Sequence, residues 1–267
     1  MLAELNYTNG RVFIDDDFET TSYTSAVFQK LIHCGICLML NVFVVPKFPF
    51  EDILNPEKGF LEKIFFAHIS LTLVRTQYYY AWIMADCINN AAGFGFSGYD
   101  DKGNSEWDLI SNIDVWKFET ADNLKDTLDA WNRGTMYWLR RVAYERTPRK
   151  YRTVFTYVVS AWWHGFFTGY YATFLTGALF TEASRMARKR IRTYFQDTNL
   201  KRIFYNVLTY VITRIAICYA AATFVLLHWR EALQFYSQMY FFMHFAAVTL
   251  LFITPRILLT KEDTKSK

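Results

Sequence analysis

Two long stretches of the chain carry no charged side chain, and they set the first expectation about its structure. Neither Thr153–Phe180 nor Ala232–Thr254 contains an Asp, Glu, Lys or Arg. A helix that crosses the hydrocarbon core of a bilayer needs about 20 mainly apolar residues. Both stretches are long enough, so the pattern predicts helices embedded in a membrane rather than the core of a soluble domain.

Three further stretches are mainly apolar but less uniform: Leu31–Val45, Ile64–Met84 and Ile203–Trp229. The second contains Arg75 and the third contains Arg214. A charged side chain at membrane depth costs about 2.5–3.5 kcal/mol or more, so such residues usually face the protein interior or a water-filled cavity. Alternatively, both arginines lie near a bilayer surface, and the sequence leaves these alternatives open.

These stretches and the polar segments between them predict an all-α fold, a polytopic integral membrane helical protein with interfacial amphipathic helices. We divide the chain into an acidic, polar and loop-like N-terminal segment (1–24), a membrane region (25–258) and a charged C-terminal tail (259–267). The elements expected in the membrane region are helices at about 25–45 and 59–90, a loop at 91–130 with a short helix near Leu124–Ala130, an interfacial helix at 131–146, a basic interfacial helix at about 182–196, and spans at about 203–229 and 232–258.

Composition and charge refine this picture. Hydrophobic residues make up 52% of the chain and charged residues 20%, below the usual share of about a quarter, and the net charge of +4 does not suggest nucleic-acid binding. Basic residues flank Thr153–Phe180 at both ends, although positive residues favour the cytoplasmic side of a membrane. They are Arg140, Arg141, Arg146, Arg149, Lys150 and Arg152 before the stretch, and Arg185, Arg188, Lys189, Arg190 and Arg192 after it. We therefore expect a broken or re-entrant segment, with Gly165, Gly169 and Gly177 as places for the break.

Two motif-like spacings are set aside. Cys34-x-x-Cys37 has the spacing of a metal or redox site, but it lies in an apolar stretch without a second pair, so we interpret these residues as buried free thiols. Gly93–Gly98 matches the G-x-G-x-x-G dinucleotide fingerprint. A predicted membrane helix precedes it and two acidic residues follow it, so we interpret it as a glycine-rich turn.

His164 is the main candidate for chemistry because it lies in the middle of the longest uncharged stretch. A histidine in an apolar environment is kept neutral by desolvation and is then able to accept a proton. Gly165 and Gly169 would let a ligand approach the backbone closely. The alternative is a core histidine that is hydrogen-bonded to a neighbouring helix.

The residues around His164 resemble a known family. Trp163–Phe174 is similar to the W-H-G-x-x-x-G-Y-x-x-x-F motif of the membrane-bound O-acyltransferases, and Trp131-Asn132 resembles the tryptophan–asparagine pair that supplies their second catalytic residue. Three more elements of the lysophospholipid branch occur in order, namely Trp107-Asp108 for W-D, Tyr219 to Phe224 for Y-x-x-x-x-F, and Tyr236 to His244, with Tyr240, for Y-x-x-x-Y-F-x-x-H. The resemblance runs from about residue 60 to 255, and members of the family are considerably longer than this chain.

This resemblance implies transfer of a fatty acyl group from acyl-CoA to the hydroxyl of a lysophospholipid, with lysophosphatidylethanolamine and lysophosphatidylserine as the nearest acceptors. It implies His164 as general base and Asn132 as its assistant. The substrate-binding residues that it implies are Trp107, Asp108, Trp163, Gly165, Gly169, Tyr170, Tyr219, Tyr236, Tyr240 and His244. It implies no metal and no cofactor besides acyl-CoA as co-substrate, a lipid bilayer as environment, and a location in the endoplasmic reticulum.

Several of these assignments have alternatives. Tyr236, Tyr240 and His244 have the i, i+4, i+8 spacing of one helical face, which suits either a substrate tunnel or a packing stripe. Asp108 either contacts substrate or caps a loop. The arginines at 185–192 meet either the phosphates of CoA or, as we prefer, anionic lipid headgroups.

Two other functions remain open at this stage. A related enzyme could acylate a protein or a sterol, although the W-D and C-terminal tyrosine elements argue against it. The chain could also be an incomplete, catalytically inactive membrane protein that acts only by association.

Overall fold

The computed structural model describes residues 6–8, 11–13 and 23–254, and helices dominate it. The helices are α1 (Thr24–Phe43), α2 (Phe60–Ala91), α3 (Val115–Thr120), α4 (Leu124–Ala130), α5 (Arg133–Leu139), α6 (Arg152–His164), α7 (Thr168–Arg190), α8 (Asn199–Leu226), α9 (Trp229–Gln238) and α10 (Phe242–Phe252). Two short antiparallel strand pairs accompany them: β1 (Asn6–Thr8) with β2 (Arg11–Phe13), and β3 (Gly98–Tyr99) with β4 (Ser105–Glu106). The first pair lies in the N-terminal segment that was expected to be loop-like. The C-terminal tail, 259–267, lies outside the described residues. The all-α membrane fold is confirmed.

The helices able to cross a membrane agree only in part with the two longest uncharged stretches of the sequence. Among the described residues, two single helices are long and apolar enough, one over Thr24–Lys47 and α8. A third candidate is the pair α9 and α10, which is bent by 74°. Over its described part, the span expected at 232–258 is thus a bent pair of helices rather than one helix. The chain turns at Met239–Phe241, where Tyr240 and Phe241 have φ values of 51° and 48°.

The break expected in Thr153–Phe180 is confirmed, and it lies at Gly165. This glycine follows the last residue of α6 and has φ 122° and ψ −170°, a backbone conformation that residues other than glycine rarely adopt. Gly169 and Gly177 lie within α7 instead. A Cβ on Gly177 would lie 2.9 Å from the Tyr157 ring on α6, so this glycine allows two helices to pack closely.

Gly169 makes the closest approach between helices. Its N–H donates to the carbonyl of Leu227 at 2.6 Å, and a Cβ would lie 2.3 Å from the carbonyl oxygen of Thr223. The expectation that Gly169 lets a ligand approach the backbone is therefore wrong, because the end of α8 occupies that space. Leu227 itself has φ 61°, a strained conformation for a bulky residue.

The basic helix expected at 182–196 is not a separate element. α7 continues without interruption to Arg190, and a 3₁₀ turn at Arg192–Phe195 follows. The cluster of cations thus lies at the C-terminal end of α7, where it complements the helix dipole. Arg185 is exposed, and its Nη1 donates to the hydroxyl of Thr153 on α6 at 2.7 Å and to Glu182 at 2.6 Å.

Arg75 and Arg214 lie in the protein interior, which decides between the two alternatives left by the sequence. Both are buried, and each guanidinium group lies near the Phe118 ring, at 5.3 Å from its centroid for Arg75 and 5.5 Å for Arg214. Glu119 accepts two hydrogen bonds from Arg75 Nη2, at 2.8 and 3.0 Å, and one from the Tyr79 hydroxyl at 2.6 Å. This cluster ties α3 to α2 and α8.

Three smaller expectations are also met. The short helix at Leu124–Ala130 is present as α4, and the Asn123 side chain caps it by accepting from the Asp126 N–H. The four cysteines are free and buried. Gly93–Gly98 forms the turn after α2, in which Gly93 and Gly95 have φ values of 86° and 105°.

Candidate active site

His164 is the last residue of α6, directly before the break at Gly165. Its ring stacks on Phe174 from α7, with the ring centroids 5.0 Å apart, and meets the Phe224 ring from α8 edge-on at 5.2 Å. Trp163 at 4.6 Å and Tyr170 at 5.8 Å complete the aromatic surround. Because Gly165 ends α6, the imidazole projects where three helices meet rather than along the side of one helix.

The His164 ring has no hydrogen-bond partner among residues 23–254. The side chain is half-buried, so its nitrogens are not sealed from a bound molecule. This excludes, for the described part of the chain, the alternative of a histidine hydrogen-bonded to a neighbouring helix. Either nitrogen is free to accept a proton.

A cavity of about 450 Å³ lies beside this group. Tyr170 and Phe224, which both contact His164, form part of its wall. Tyr78 from α2, Leu227 from the end of α8 and the turns that follow α1 also line it, and Glu51 and Gln77 add polar groups to a mainly apolar wall. A cavity with an aromatic and aliphatic lining suits a hydrocarbon chain.

His244 lies in a second cluster with a different character. Its Nδ1 is 2.9 Å from the Tyr219 hydroxyl, and its Nε2 is 3.0 Å from the Thr176 hydroxyl, so both ring nitrogens are engaged. The Tyr236 hydroxyl is 3.1 Å from that of Thr176 and 3.2 Å from that of Thr223. The cluster therefore joins α7, α8, α9 and α10 through hydrogen bonds.

The expectation that Tyr236, Tyr240 and His244 share one helical face is wrong. α9 ends at Gln238, and the turn at Met239–Phe241 brings His244 back against Tyr236 with their rings 4.8 Å apart. Tyr240 lies in that turn and is 72% exposed, with its ring 6.2 Å from that of Phe60. Two of the three residues thus belong to the interior cluster and one does not.

A short polar connection links the two clusters. The hydroxyl of Thr173, which is one residue before Phe174, is 2.8 Å from that of Thr223. Thr223 is in turn one residue before Phe224 and contacts Tyr236. The residues that surround His164 are consequently held by the same helices that hold His244.

Asn132 lies outside both clusters, at the start of α5. Its backbone is left-handed, with φ 46° and ψ 54°, and its Oδ1 accepts a hydrogen bond from Asn112 Nδ2 at 3.0 Å. The preceding Trp131 packs against Tyr78 at 5.9 Å, and Tyr78 lines the same cavity as Tyr170. Asn132 is thus connected to the cavity wall through Trp131 rather than bonded to His164.

Trp107 and Asp108 stabilise a different part of the molecule. The Trp107 ring is buried, and its carbonyl accepts from Lys30 Nζ at 2.7 Å and from Asn90 Nδ2 at 3.1 Å. Asp108 is exposed and accepts a hydrogen bond from the Ser97 hydroxyl at 2.6 Å. These contacts close the loop against α1 and α2, and Asp108 caps no helix in the described part of the chain.

Four residues at the site carried no signal in the sequence. Tyr78 looked like any aromatic residue of an apolar helix, and Thr176 and Thr223 looked like neutral helix positions. Asn112 lies in a polar loop, where an asparagine needs no explanation. Their roles depend on contacts between elements that are far apart in sequence. The pattern of residues in a single sequence does not contain that information.

Comparisons with known proteins concern the chain as a whole rather than its individual site residues. The family model of the membrane-bound O-acyltransferases matches residues 6–228. The chain is 41% identical over 251 residues to the human protein "Membrane-bound glycerophospholipid O-acyltransferase 2", covering 92% of this chain and 48% of that protein. It is 40% identical over 241 residues to "Lysophospholipid acyltransferase 6" of Drosophila melanogaster, covering 89% of this chain and 33% of that protein.

A more distant relative is the "Lysophospholipid acyltransferase" of Schizosaccharomyces pombe, which is 32% identical over 233 residues and is covered to 46% of its length. The chain therefore spans about half or less of the length of these curated relatives.

Proposed function

We propose, from the premise that this chain belongs to the membrane-bound O-acyltransferase family, that it carries the catalytic centre of a lysophospholipid acyltransferase. The reaction is transfer of a fatty acyl group from acyl-CoA to the free hydroxyl of a lysophospholipid within the membrane. The names of the relatives support the acceptor class, since they describe acyltransferases of lysophospholipids and glycerophospholipids.

His164 acts as the general base. Its neutral imidazole takes the proton of the acceptor hydroxyl as the oxygen attacks the thioester carbonyl, which gives a tetrahedral intermediate. Collapse of the intermediate breaks the C–S bond, and the imidazolium returns the proton to the departing CoA thiolate. A positioned base of this kind contributes about 10²–10⁴ in rate.

Asn132 stabilises the oxygen of the tetrahedral intermediate by donating a hydrogen bond from its side-chain amide. The negative charge develops on the former carbonyl oxygen, and a donor that is already oriented needs no rearrangement in the transition state. The connection from Trp131 through Tyr78 to the cavity wall supports this assignment, because it leads from Asn132 to the cavity beside His164.

The observation that carries the proposal is the state of His164. A half-buried imidazole without a hydrogen-bond partner among the described residues, next to an apolar cavity of about 450 Å³, has the properties that a base for a lipid hydroxyl needs. A position within the bilayer would limit the access of water, which would otherwise hydrolyse the thioester. We place the reaction in the endoplasmic reticulum membrane, the location that the family resemblance implies.

The test is an acyl-transfer assay on membranes that contain the chain, with labelled acyl-CoA and a panel of lysophospholipids that includes lysophosphatidylethanolamine and lysophosphatidylserine. His164→Ala removes the base and is expected to abolish transfer without loss of expression. His33→Ala is the matched control, because His33 is exposed on α1 and contacts neither cluster.

Three results would overturn parts of the proposal. Full activity of His164→Ala would exclude His164 as the base. Transfer to a sterol or a protein, with no transfer to any lysophospholipid, would replace the acceptor class. No transfer to any acceptor, by the chain and by any longer product of its gene, would favour a protein that acts by association.

A further inference from the structure

We propose that Asn112 is a positioning residue that determines which end of the Asn132 side-chain amide faces the substrate. This inference rests on the function proposed above, in which Asn132 donates a hydrogen bond to the tetrahedral intermediate. An asparagine amide has a donor end and an acceptor end, and the wrong end would repel an oxyanion. The orientation of Asn132 therefore matters as much as its location.

The first step concerns the amide of Asn112 itself. The backbone N–H of Gly134 points at Asn112 Oδ1 with a distance of 2.8 Å. A backbone N–H only donates, so the atom that faces it has to be the oxygen. The orientation of an asparagine amide is assigned from its hydrogen-bond network, and here that network contains a partner whose polarity cannot invert.

The second step follows from the first. With its oxygen on Gly134, the Asn112 amide presents its nitrogen to Asn132, and the two side chains meet at 3.0 Å from Nδ2 to Oδ1. Asn132 Oδ1 is therefore the acceptor in this pair. The Nδ2 of Asn132 has no hydrogen-bond partner in the described part of the chain, and its half-buried side chain leaves that donor available to a ligand.

Asn112 is held firmly enough to impose this polarity. Its carbonyl accepts from the N–H of Arg133 at 2.8 Å, so Asn112 is hydrogen-bonded to three consecutive residues, Asn132, Arg133 and Gly134. The preceding Ser111 hydroxyl donates to the carboxylate of Asp86 on α2, which is also paired with Lys30 of α1 at 2.8 Å. Two membrane helices thus anchor the loop that carries Asn112.

The decisive test compares two substitutions of Asn112. A positioning role predicts that one of them lowers kcat more, and a purely structural role predicts that the other does. Asn112→Asp keeps an acceptor for Gly134 N–H but replaces the amide donor by a carboxylate oxygen, so the Asn132 amide turns its Nδ2 toward residue 112. Asn112→Ala removes both contacts and leaves the Asn132 amide free to rotate. The Asp substitution thus preserves the contact with Gly134 but orients the Asn132 amide the wrong way. The Ala substitution loses that contact but still allows the Asn132 amide to adopt the required orientation.

We therefore expect kcat to fall more in Asn112→Asp than in Asn112→Ala, although the Ala variant unfolds at the lower temperature. Loss of one oxyanion donor costs about 10²–10³ in kcat, and the Asp variant should approach that loss with KM nearly unchanged. Asn55→Asp is the matched control, since Asn55 Oδ1 also accepts a backbone N–H, from Glu57 at 3.0 Å, on an exposed turn away from Asn132. It should retain full activity.

A second measurement tests the contact without relying on activity. The thermal midpoints of Asn112→Ala, Asn132→Ala and the double variant are measured in detergent. A contact predicts that the double variant loses less than the sum of the two single losses, whereas additive losses would overturn the proposal.

The two proposals fail in distinguishable ways. If the unmodified chain transfers acyl groups and Asn112→Asp is as active as Asn112→Ala or more active, only the positioning role is overturned. If the unmodified chain and any longer product of its gene transfer no acyl group, the proposed function is overturned. The positioning role, which rests on that function, is then overturned as well.

Discussion

His164 and His244 are both half-buried histidines among aromatic rings, on helices that pack against α7 and α8, yet their nitrogens are used in opposite ways. Both nitrogens of His244 are hydrogen-bonded, to Tyr219 and Thr176, whereas His164 has no such partner among the described residues. The nitrogens of His244 therefore stabilise contacts between helices, whereas those of His164 remain available to the substrate in the reaction proposed above. Burial alone does not distinguish the two.

The comparison separates the proposed catalytic region around His164 from a supporting region around His244. The His164 region contains a helix break, a cavity and an unpartnered imidazole, which are features that cost stability and permit chemistry. The His244 region contains satisfied hydrogen bonds between four helices and stabilises the arrangement. Variants in the two regions should accordingly change different measurements, namely the rate of acyl transfer for one and the thermal midpoint for the other.

Apart from substitutions of His164 itself, the largest effect that sharpens this comparison is expected for Asn132→Gly. Glycine adopts φ 46° without strain, so the backbone at the start of α5 is preserved while the side-chain amide is lost. We expect kcat to fall by about 10²–10³, as for the loss of one oxyanion donor, with little change in the thermal midpoint. Activity close to that of the unmodified chain would show that asparagine is present here only for its backbone conformation.

Gly169→Ala should affect both regions at once, because Gly169 is the contact between α7 and α8 on which both depend. The added methyl group would lie 2.3 Å from the carbonyl of Thr223, and neither backbone is able to withdraw without moving a helix. Overpacking of this kind costs about 1–3 kcal/mol. Thermal unfolding monitored by circular dichroism measures it, with Gly35→Ala as control, since a Cβ on Gly35 meets no atom within 4 Å.

If Gly169→Ala unfolds at the same temperature as Gly35→Ala, the close approach of α7 to α8 is wrong, and the link between the two regions with it.

Thr176→Val tests the supporting role of the His244 region. Valine has the same shape but leaves His244 Nε2 without this partner and removes one contact of Tyr236. An unsatisfied buried group costs about 1–3 kcal/mol, so the thermal midpoint should fall while kcat per folded molecule stays unchanged. Thr209→Val is the control, because Thr209 bonds only within its own helix, to the Tyr205 and Asn206 carbonyls. A fall in kcat without a fall in the midpoint would move His244 into the catalytic region.

Tyr240→Ala should have the smallest effect. The side chain is 72% exposed and lies outside the His244 cluster despite its place in the same sequence motif. Substitutions at such surfaces usually change stability by less than about 0.5 kcal/mol. Activity and the thermal midpoint should both remain near those of the unmodified chain, and a loss of activity comparable to that of Asn132→Gly would place Tyr240 in the substrate path.

Much of the helical architecture was predictable because apolar stretches, loops and charges carry it locally. The bounds of α1, α2 and α8 lie within a few residues of the expected ones. The break in Thr153–Phe180 was predicted from its basic flanks, and Gly165 supplies the conformation that it needs. His164 was identified because a histidine in an uncharged stretch demands a physical explanation.

The errors have a common physical origin in tertiary contacts. The bend between α9 and α10 occurs at Tyr240 and Phe241, where no glycine or proline signals it, and the contact of His244 with Tyr219 and Thr176 compensates for the unusual backbone. The partnership of Asn112 with Asn132 joins two loops that are 20 positions apart. Propensity and periodicity describe neighbours along the chain, and neither contact is of that kind.

The most direct test of the central claim is a crossed measurement on His164→Gln and His244→Gln, in which acyl transfer per folded molecule and the thermal midpoint are determined for both variants in the same membranes. The account predicts that His164→Gln loses about 10²–10⁴ in rate, the contribution of a general base, and unfolds near the temperature of the unmodified chain. His244→Gln should unfold at a lower temperature and retain its rate. The reverse pattern, with His164→Gln active and His244→Gln inactive at an unchanged midpoint, would contradict the account.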